Sequence, residues 1–457
     1  MYTASTAFLE ALTEAGVSYI FANFGSDHPG LMEAIAGARA TGKQIPTIVT
    51  CPNEMVGMSA AHGFTQVTGA PQCVVVHVEC GTQALAGAVH NAAKGRIPML
   101  VFAGASPFTQ DGEMTGSRNE FIQWIQDVHD QRGIVRGYMK YDNEIRTGAN
   151  IKQMVHRAMQ LCASDPKGPA YLMGAREVME AELPSPVAID TGRWRPVRHA
   201  AIPDDAALRV LSALETAKRP LVVTSYLGRN PAAVAELVAL CEALGIGVLE
   251  SVPNAMNFPH DHPLYLGNQW NEPRQNAALA AADCILVIDS DVPWIPTVSR
   301  PADDATIFHF DVDPLKENMP LWYIGAEPFQ THAQTALRQL NAELAGSRVD
   351  AGRVAERKAH YGRASAERTA RLEAAEAALD DARNDLRGLA AGAVDEALDQ
   401  PWASQQSREE IRGHDQHDAG ERLPRPIGPE RLSKRTQHAS TPRAPDAGSY
   451  RGDAPAT

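Results

Sequence analysis

The sequence predicts an α/β protein, with two doubly wound parallel-sheet domains followed by a long helix and a disordered tail. Short apolar strand patterns alternate with Ala- and Gly-rich helical patterns, and this alternation favours parallel strand pairing. A proline-rich segment separates two such stretches, which is typical of a linker. The length of 457 residues also exceeds what one compact core accommodates.

The first predicted domain spans residues 1–185. It opens with a helical pattern that ends at Gly16, and an apolar strand then runs into a turn containing Gly and Pro. Further strands and helices alternate to the end of the domain. The predicted strands are 19–22, 45–51, 73–78, 99–103 and 170–173, and the predicted helices are 6–12, 31–40, 56–67, 83–93 and 152–162.

Prolines mark residues 186–203 as a linker, and a second, central α/β domain is predicted over residues 204–345. It repeats the alternation of apolar strand and amphipathic helix seen in the first domain. Its predicted strands are 220–224, 247–250, 284–289 and 306–311, and its predicted helices are 232–244 and 331–344.

The character of the chain changes after the second domain. Residues 346–400 are rich in Ala, Arg and Glu and predict a long solvated helix, whose leucines at 372, 379 and 386 form too short a heptad run for a coiled coil. Residues 401–457 hold few large apolar side chains and cannot bury enough surface to offset their ordering entropy. They are predicted to be a disordered or frame-altered tail.

Composition and charge exclude several classes of function. A formal charge of −13 argues against nucleic acid as a partner. No apolar run reaches the roughly 18 residues that a membrane span needs, and the amino terminus does not resemble a secretory signal. The six cysteines are scattered without a C-x-x-C pair, so we predict reduced thiols, a cytoplasmic location and no metal-ligating residues.

Glu54 is the residue that carries most information about chemistry. It follows a predicted buried strand and begins a helical pattern, which places its carboxylate at the carboxyl end of a parallel strand. Ligands of α/β sheets bind at that edge. The alternative is a first-turn glutamate that only interacts favourably with the helix dipole.

Several segments together resemble a known family. They are Asn23-Phe24-Gly25-Ser26, the run from Asn53-Glu54 to Thr68-Gly69, the run from His77 to Ile97-Pro98, Lys167-Gly168-Pro169-Ala170 and Asp311-Val312-Asp313-Pro314. In this order, over roughly residues 1–345, the chain resembles thiamine-diphosphate-dependent enzymes of the acetolactate synthase and benzoylformate decarboxylase superfamily. The matching regions are the pyrimidine-binding domain and the central domain of that family.

The resemblance implies roles for individual residues. Glu54 would hydrogen-bond the aminopyrimidine of thiamine diphosphate and thereby activate the C2 ylid that attacks a 2-oxo acid. His77 would be a second catalytic residue that relays protons, or it merely ends a buried strand. Cofactor-binding residues implied beside Glu54 lie in the same turns. They are Gly25, Ser26, Gly81 and Thr82, with a tight turn as the alternative reading for Gly81.

The resemblance also implies parts that the sequence does not display. Relatives hold the diphosphate and Mg²⁺ in a third domain marked by Gly-Asp-Gly, which does not occur here, while Pro426–Ser433 resembles the opening of that domain. We therefore expect truncation or a shifted reading frame. FAD is not predicted, because the arginine-containing element of flavin-binding relatives is absent. Asp311 and Asp313 are read as a strand end rather than a metal pair.

These observations predict a thiamine diphosphate-binding protein that acts on 2-oxo acids by decarboxylation or carboligation and is incomplete as an isolated chain. Mg²⁺ would come through the missing domain or a partner. The expected assembly is a homodimer, a homotetramer, or a complex with a chain carrying the diphosphate domain, and Phe121 and Trp124 are expected at an interface or in the core. The alternative is a non-catalytic module that dimerises through the first domain. A dinucleotide-binding protein is disfavoured, since no G-x-G-x-x-G follows a strand.

Overall fold

The computed structural model of the protein describes residues 1–269 and 273–398. Its chain divides into two compact units, Met1–Arg371 and Leu372–Thr457. The first unit contains two six-stranded sheets, and every strand pairing in both is parallel. Among the described residues, no helix combines the length and the apolar character needed to cross a bilayer.

The first sheet has the strand order β2-β1-β3-β4-β6-β5. Its strands are β1 (Tyr19–Ala22), β2 (Thr47–Thr50), β3 (Gln72–Val76), β4 (Met99–Ala105), β5 (Tyr141–Ile145) and β6 (Pro169–Ala175). Its helices are α1 (Ala4–Glu14), α2 (Pro29–Ala40), α3 (Glu54–Thr68), α4 (Val78–Ala84), α5 (Ala86–Lys94), α6 (Ile151–Ala163) and α7 (Arg176–Glu180).

Helices cover both faces of this sheet, and β3 shows how one strand serves two cores. Cys73 and Val75 pack with α1, α2 and α6, whereas Val74 and Val76 pack with α3 and α5. Successive side chains of a strand point to opposite faces, so a strand buried on both sides is apolar throughout. This explains why β3 reads as a continuous apolar run rather than an alternating one.

The second sheet has the order β12-β11-β10-β7-β8-β9. Its strands are β7 (Pro220–Thr224), β8 (Gly247–Glu250), β9 (Tyr265–Asn268), β10 (Cys284–Ile288), β11 (Thr306–Asp311) and β12 (Glu327–Gln330). Its helices are α8 (Asp204–Thr216), α9 (Pro231–Leu244), α10 (Ala277–Ala281) and α11 (Ala333–Leu344). Both sheets and their flanking helices confirm the predicted α/β class.

The last described helix, α12 (Ala351–Leu398), is long as predicted, but its first turns are not solvated. Arg357 and Tyr361 are almost fully buried in the first unit. Arg357 Nη1 donates to the Leu244 carbonyl at 2.8 Å, and the Tyr361 hydroxyl donates to the Pro220 carbonyl at 2.8 Å. The helix is therefore anchored to the second sheet through its amino-terminal turns, which corrects the expectation of a solvated helix for that part.

Two differences from the sequence predictions concern strands, and one further prediction is untested. The strand predicted over 73–78 ends at Val76, because Val78 already begins α4 with a φ of +31°. The strands β5, β9 and β12 were not predicted, since all three are edge strands and carry polar residues such as those of Glu327–Gln330. The predicted tail over 401–457, including Pro426–Ser433, lies outside the described residues.

Candidate active site

The loops after β1, β2 and β3 meet at the carboxyl edge of the first sheet. From β1 the chain crosses to β2 on one side, whereas β3 and β4 continue on the other side. The strand order thus reverses between β1 and β3, and such a switch point opens a crevice between the two loops that leave it. The loop 23–28 follows β1, and the helix α4 follows β3.

Glu54 reaches this crevice from the end of β2. It is the first residue of α3, whose N-cap Asn53 accepts a hydrogen bond from the Val56 amide. Asn23, which follows β1, donates its side-chain N–H to Glu54 Oε1 at 2.9 Å. The described residues give Oε2 no hydrogen bond. The Glu54 carboxyl is therefore fixed through one oxygen, and its other oxygen is available for a hydrogen bond.

Gly81 lies directly beside this carboxyl group. A Cβ atom at position 81 would stand 3.3 Å from Glu54 Oε1 and 3.1 Å from the Val76 side chain. Any side chain there would crowd the carboxylate, which supports a steric role for this glycine at the site. The structure thus brings Glu54 and Gly81 together as the sequence predicted, although their contact with a cofactor stays a prediction.

His77 is paired with a buried carboxylate that the sequence reading did not single out. Its Nδ1 lies 2.5 Å from Asp27 Oδ1, and the second Asp27 oxygen accepts the Val78 backbone N–H at 3.1 Å. The Asp27 side chain is 1% exposed, whereas the His77 side chain is 21% exposed. Asp27 thus holds the imidazole on its buried side, and the ring stays partly exposed on the side of the crevice.

The charges of this pair stabilise each other. The hydrogen bond to Asp27 raises the pKa of His77 above its ordinary value, and this effect outweighs the opposing effect of burial. Burial disfavours the Asp27 carboxylate, but the charges and hydrogen bonds of His28 and His77 outweigh it and hold the pKa of Asp27 far below its usual range. The geometry therefore keeps Asp27 ionised and favours a proton on His77 Nδ1.

Two glycines make room for the pair. A Cβ atom on Gly25 would fall 2.1 Å from His77 Nδ1, and one on Gly104 in β4 would fall 1.7 Å from Asp27 Oδ2. Both distances are far inside van der Waals contact, so neither position accepts a side chain without displacing the pair. Gly25 is predicted as a cofactor contact, and in the structure its missing side chain leaves space for His77.

Backbone strain occurs at the same place. Val78 has a φ of +31°, a region that β-branched residues rarely occupy. The conformation directs the Val78 N–H to Asp27 Oδ2 at 3.1 Å. Strain of this kind persists where surrounding contacts hold it, and it concentrates at functional sites.

Ser26 and Thr82 differ in where their hydroxyl groups lie. Ser26 follows Gly25 in the loop after β1, and its Oγ is buried without a hydrogen bond to any described residue. Such an orphaned hydroxyl fits a ligand-facing group. Thr82 is fully buried, and its hydroxyl donates to the Val78 carbonyl and contacts the Tyr171 hydroxyl at 2.9 Å. The structure therefore places Thr82 in a core network rather than with the crevice residues.

An apolar surface borders this edge of the sheet. The segment 106–128 follows β4, and Arg118 ties it together through Pro107, Gln123 and Asp127. Phe121 is 84% exposed, and further large apolar side chains of the same segment are exposed around it. These are Phe108, Met114, Ile122, Trp124, Ile125 and Val128. Neighbouring exposed apolar residues of this number are typical of an interaction surface.

A separate buried charge cluster joins the two sheets. Arg96, at the end of α5, donates to Asp311 Oδ1 and Asp291 Oδ1, each at 3.0 Å. Lys316 donates to Asp311 Oδ2 at 2.6 Å, and the Tyr226 hydroxyl donates to the same oxygen at 2.7 Å. The side chains of Asp311 and Lys316 are almost fully buried. Asp311 is therefore a structural anion at the strand end.

Comparison with known proteins agrees with this architecture. Residues 2–134 match the N-terminal TPP binding domain of the thiamine pyrophosphate enzymes, and residues 208–340 match their central domain. The chain therefore belongs to the thiamine pyrophosphate enzyme family and carries these two domains. Both matches lie on the sheets described above, and the first contains the whole crevice.

Individual relatives are distant. The chain is 27% identical to a sulfoacetaldehyde acetyltransferase of Castellaniella defragrans, over 63% of this chain and 45% of that protein. It is 23% identical to an acetolactate synthase of Bacillus subtilis, over 66% of this chain and 50% of that protein. The chain thus spans about half the length of these curated relatives.

Solved structures show the same fold. A thiamine diphosphate-dependent 4-hydroxybenzoylformate decarboxylase of Rhodococcus jostii RHA1 superposes with a TM-score of 0.59 at 22% identity. The match covers 76% of this chain and 63% of that one. At this level of identity the likeness concerns the arrangement of helices and strands alone.

Proposed function

We propose that this chain binds the aminopyrimidine of thiamine diphosphate at Glu54 and serves the decarboxylation or carboligation of 2-oxo acids. The observation that carries the proposal is the Glu54 carboxyl, which Asn23 holds through Oε1 at 2.9 Å beside the bare backbone of Gly81. The orphaned hydroxyl of Ser26, in the loop after β1, supports it. When bound, the cofactor supplies the carbon nucleophile and the electron sink for the substrate.

The protein's own residues then orient groups and move protons. Glu54 would hold the pyrimidine ring through Oε2, because Asn23 occupies Oε1. The Nδ1–H of His77 donates to Asp27, so Nε2 is the atom that exchanges a proton with substrate or product. Ser26 offers a hydroxyl to the substrate carboxylate. Each role follows from an atom that the described contacts leave available.

The diphosphate and its Mg²⁺ require groups other than those of this crevice. Asp27, Glu54 and Glu79 concentrate carboxylates at the sheet edge, and a like-charged diphosphate is disfavoured there. We therefore propose that another domain or polypeptide holds Mg²⁺ and the diphosphate against this edge.

We further propose that a second copy of the chain covers the apolar surface of segment 106–128. The surface borders the carboxyl edge of the first sheet, so pairing there encloses the crevice and removes Phe121 and its neighbours from water. Exclusion of water strengthens the electrostatic contacts of a site. A homodimer is the smallest assembly that achieves this.

Calorimetric titration with thiamine diphosphate tests the proposal, with and without Mg²⁺, on the wild type and on Glu54→Gln. We expect binding that weakens at least about tenfold in Glu54→Gln, since the variant alters the group that faces the pyrimidine; tenfold corresponds to about 1.4 kcal/mol. The matched control is Glu343→Gln, which changes an exposed glutamate of α11, a helix of the second sheet. Release of CO₂ from added 2-oxo acids is measured on the same samples.

The results separate the enzyme from a non-catalytic assembly module. Binding that depends on Glu54 supports the cofactor site even where turnover requires an added partner. If neither thiamine diphosphate nor thiamine binds, with or without Mg²⁺, the cofactor proposal is wrong and the assembly function remains.

A further inference from the structure

A second cluster of ligand-type side chains lies far along the chain from the crevice. Asp165 precedes β6, His199 lies in the segment between the two sheets, and His332 immediately precedes α11. One potential ligand atom from each lies within 4.8 Å of the other two. Asp165 is at the amino end of β6, whereas Glu54 lies at the carboxyl edge of the same parallel sheet. The cluster is thus separate from the candidate active site.

Two polar atoms of this cluster lack partners. Asp165 Oδ2 and His332 Nδ1 are buried, and neither has a hydrogen bond within the described part of the chain. His332 is 8% exposed as a residue. Asp165 Oδ2 stands 3.4 Å from His199 Nε2, which is longer than a good hydrogen bond. Buried polar groups are normally satisfied, so unpartnered ligand-type atoms that lie this close together point to a ligand.

The surroundings fix the backbone segments that carry the two histidines and leave a cavity beside the cluster. The Thr331 hydroxyl donates to the Ala200 carbonyl at 2.8 Å, and the His332 backbone N–H donates to the same carbonyl at 3.3 Å. These bonds fix the segment carrying His199 against the loop that carries His332. A cavity of about 250 Å³, lined by all three residues of the cluster, adjoins them. It has room for an ion and its water ligands.

The charged groups around the cluster are Asp165 itself and three cations. Arg229 is buried and paired with Asp289, with Nη2 and Oδ1 3.4 Å apart. Arg198 lines the cavity, and Lys167 acts on His332 through its charge. Asp165 supplies the anionic ligand.

We propose that Asp165, His199 and His332 bind a divalent transition-metal ion, Zn²⁺ in particular, at the junction of the two sheets. Two imidazoles and a carboxylate form a donor set that Zn²⁺ accepts, with water at the remaining position. The histidine rings are now stacked, with centroids 3.6 Å apart and planes 2° from parallel, so their lone pairs do not converge. Binding rotates one ring out of the stack. The ion then ties the connecting segment to both sheets.

The test measures Zn²⁺ binding to the full chain by titration against a chromogenic chelator, with Co²⁺ absorption as a second readout. The chain has 15 histidines, so the comparison of variants decides the outcome. The variants are His199→Ala and His332→Ala, and the control is His90→Ala, which removes an exposed histidine of α5. Circular dichroism melts of the metal-free proteins establish that each variant is folded.

We expect the wild type to bind one equivalent of Zn²⁺. The affinity for this ion should fall at least about tenfold in His199→Ala and in His332→Ala, because loss of even outer-shell partners costs 10- to 100-fold in affinity. His90→Ala should retain the wild-type affinity for Zn²⁺. The His199 side chain is 44% exposed, so His199→Ala keeps the test valid even where His332→Ala fails to fold. Absence of binding in the wild type, or equal affinity in the wild type and a folded His199→Ala, would overturn the proposal.

Discussion

Asp27 holds His77 from behind: its Oδ1 lies 2.5 Å from His77 Nδ1, while its Oδ2 accepts the N–H of the next residue, Val78. One buried carboxylate thus fixes both the side chain and the backbone at the end of β3. The arrangement orients the imidazole and selects the tautomer with a proton on Nδ1. His77 Nε2 is therefore the nitrogen available to a substrate.

The first prediction concerns the pKa of His77 in Asp27→Asn. The carboxylate stabilises the imidazolium, so its removal should bring the pKa of His77 down toward or below the ordinary value of 6.5. Titration of ¹³C-labelled histidine by NMR measures this, with His77→Gln identifying the resonance. Asp111→Asn, which alters an exposed aspartate, is the control. An unchanged pKa in a folded Asp27→Asn would contradict the pairing.

The second prediction concerns Gly104→Ala. The added Cβ would fall 1.7 Å from Asp27 Oδ2, so the variant should lose on the order of 3 kcal/mol of unfolding free energy. Urea denaturation measures the loss. Gly37→Ala in α2 is the matched control, since nothing lies within 4 Å of its Cβ. The control should gain up to about 1 kcal/mol from reduced chain entropy. Equal behaviour of the two variants would show that Asp27 does not pack against β4.

The third prediction concerns Arg96→Ala at the junction of the sheets. Truncation removes one cationic partner of the fully buried Asp311 while Lys316 remains, so the unfolding free energy should fall by about 1.5–3 kcal/mol. Thermal and urea unfolding measure the change. Arg193→Ala removes an exposed arginine paired with Asp190 and should leave the transition midpoint in place. A loss in Arg96→Ala no larger than in this control would refute a stabilising role.

The fourth prediction concerns the association of two copies. Phe121→Ser and Trp124→Ser each remove exposed apolar surface from segment 106–128, so both should shift the protein toward monomer. Light scattering after size exclusion measures the mass. Leu321→Ser is the control, because Leu321 is 86% exposed but lies outside this segment. A mass that stays dimeric in both variants would place the interface elsewhere, and a monomeric wild type would remove it.

Much of the fold could be predicted, and the misses have common physical causes. Interior strands such as Cys284–Ile288 are apolar throughout because helices cover both faces, and they were found. Polar strands at or near the sheet edges, such as Tyr141–Ile145 and Glu327–Gln330, were missed because partial exposure removes the apolar pattern. The predicted end of β3 is two residues late, because a valine in the sequence gives no indication of the positive φ that Val78 adopts.

The site residues likewise divide into those that the sequence indicates and those that it does not. Glu54, Gly25, Ser26, Gly81 and His77 follow strands within recognisable local motifs, so sequence reasoning selected them. Asp27 is adjacent to Ser26, but the sequence does not single it out. Its partner His77 lies 50 positions away, and no local motif links the two residues. Thr82 is predicted as a cofactor-binding residue from its neighbours, and that role stays a prediction; its hydroxyl bonds to Val78 and Tyr171.

The sequence by itself determined the parallel α/β class, the family resemblance and the position of Glu54 at the end of a strand. These follow from periodicity and local motifs, which act over a few residues. Only the tertiary structure decided that Asp27 orients His77, that Arg96 reaches Asp311 across 215 positions, and that Asp165, His199 and His332 converge. Such pairings depend on how strands order within the sheets, and that order brings together residues whose separation along the chain carries no pattern.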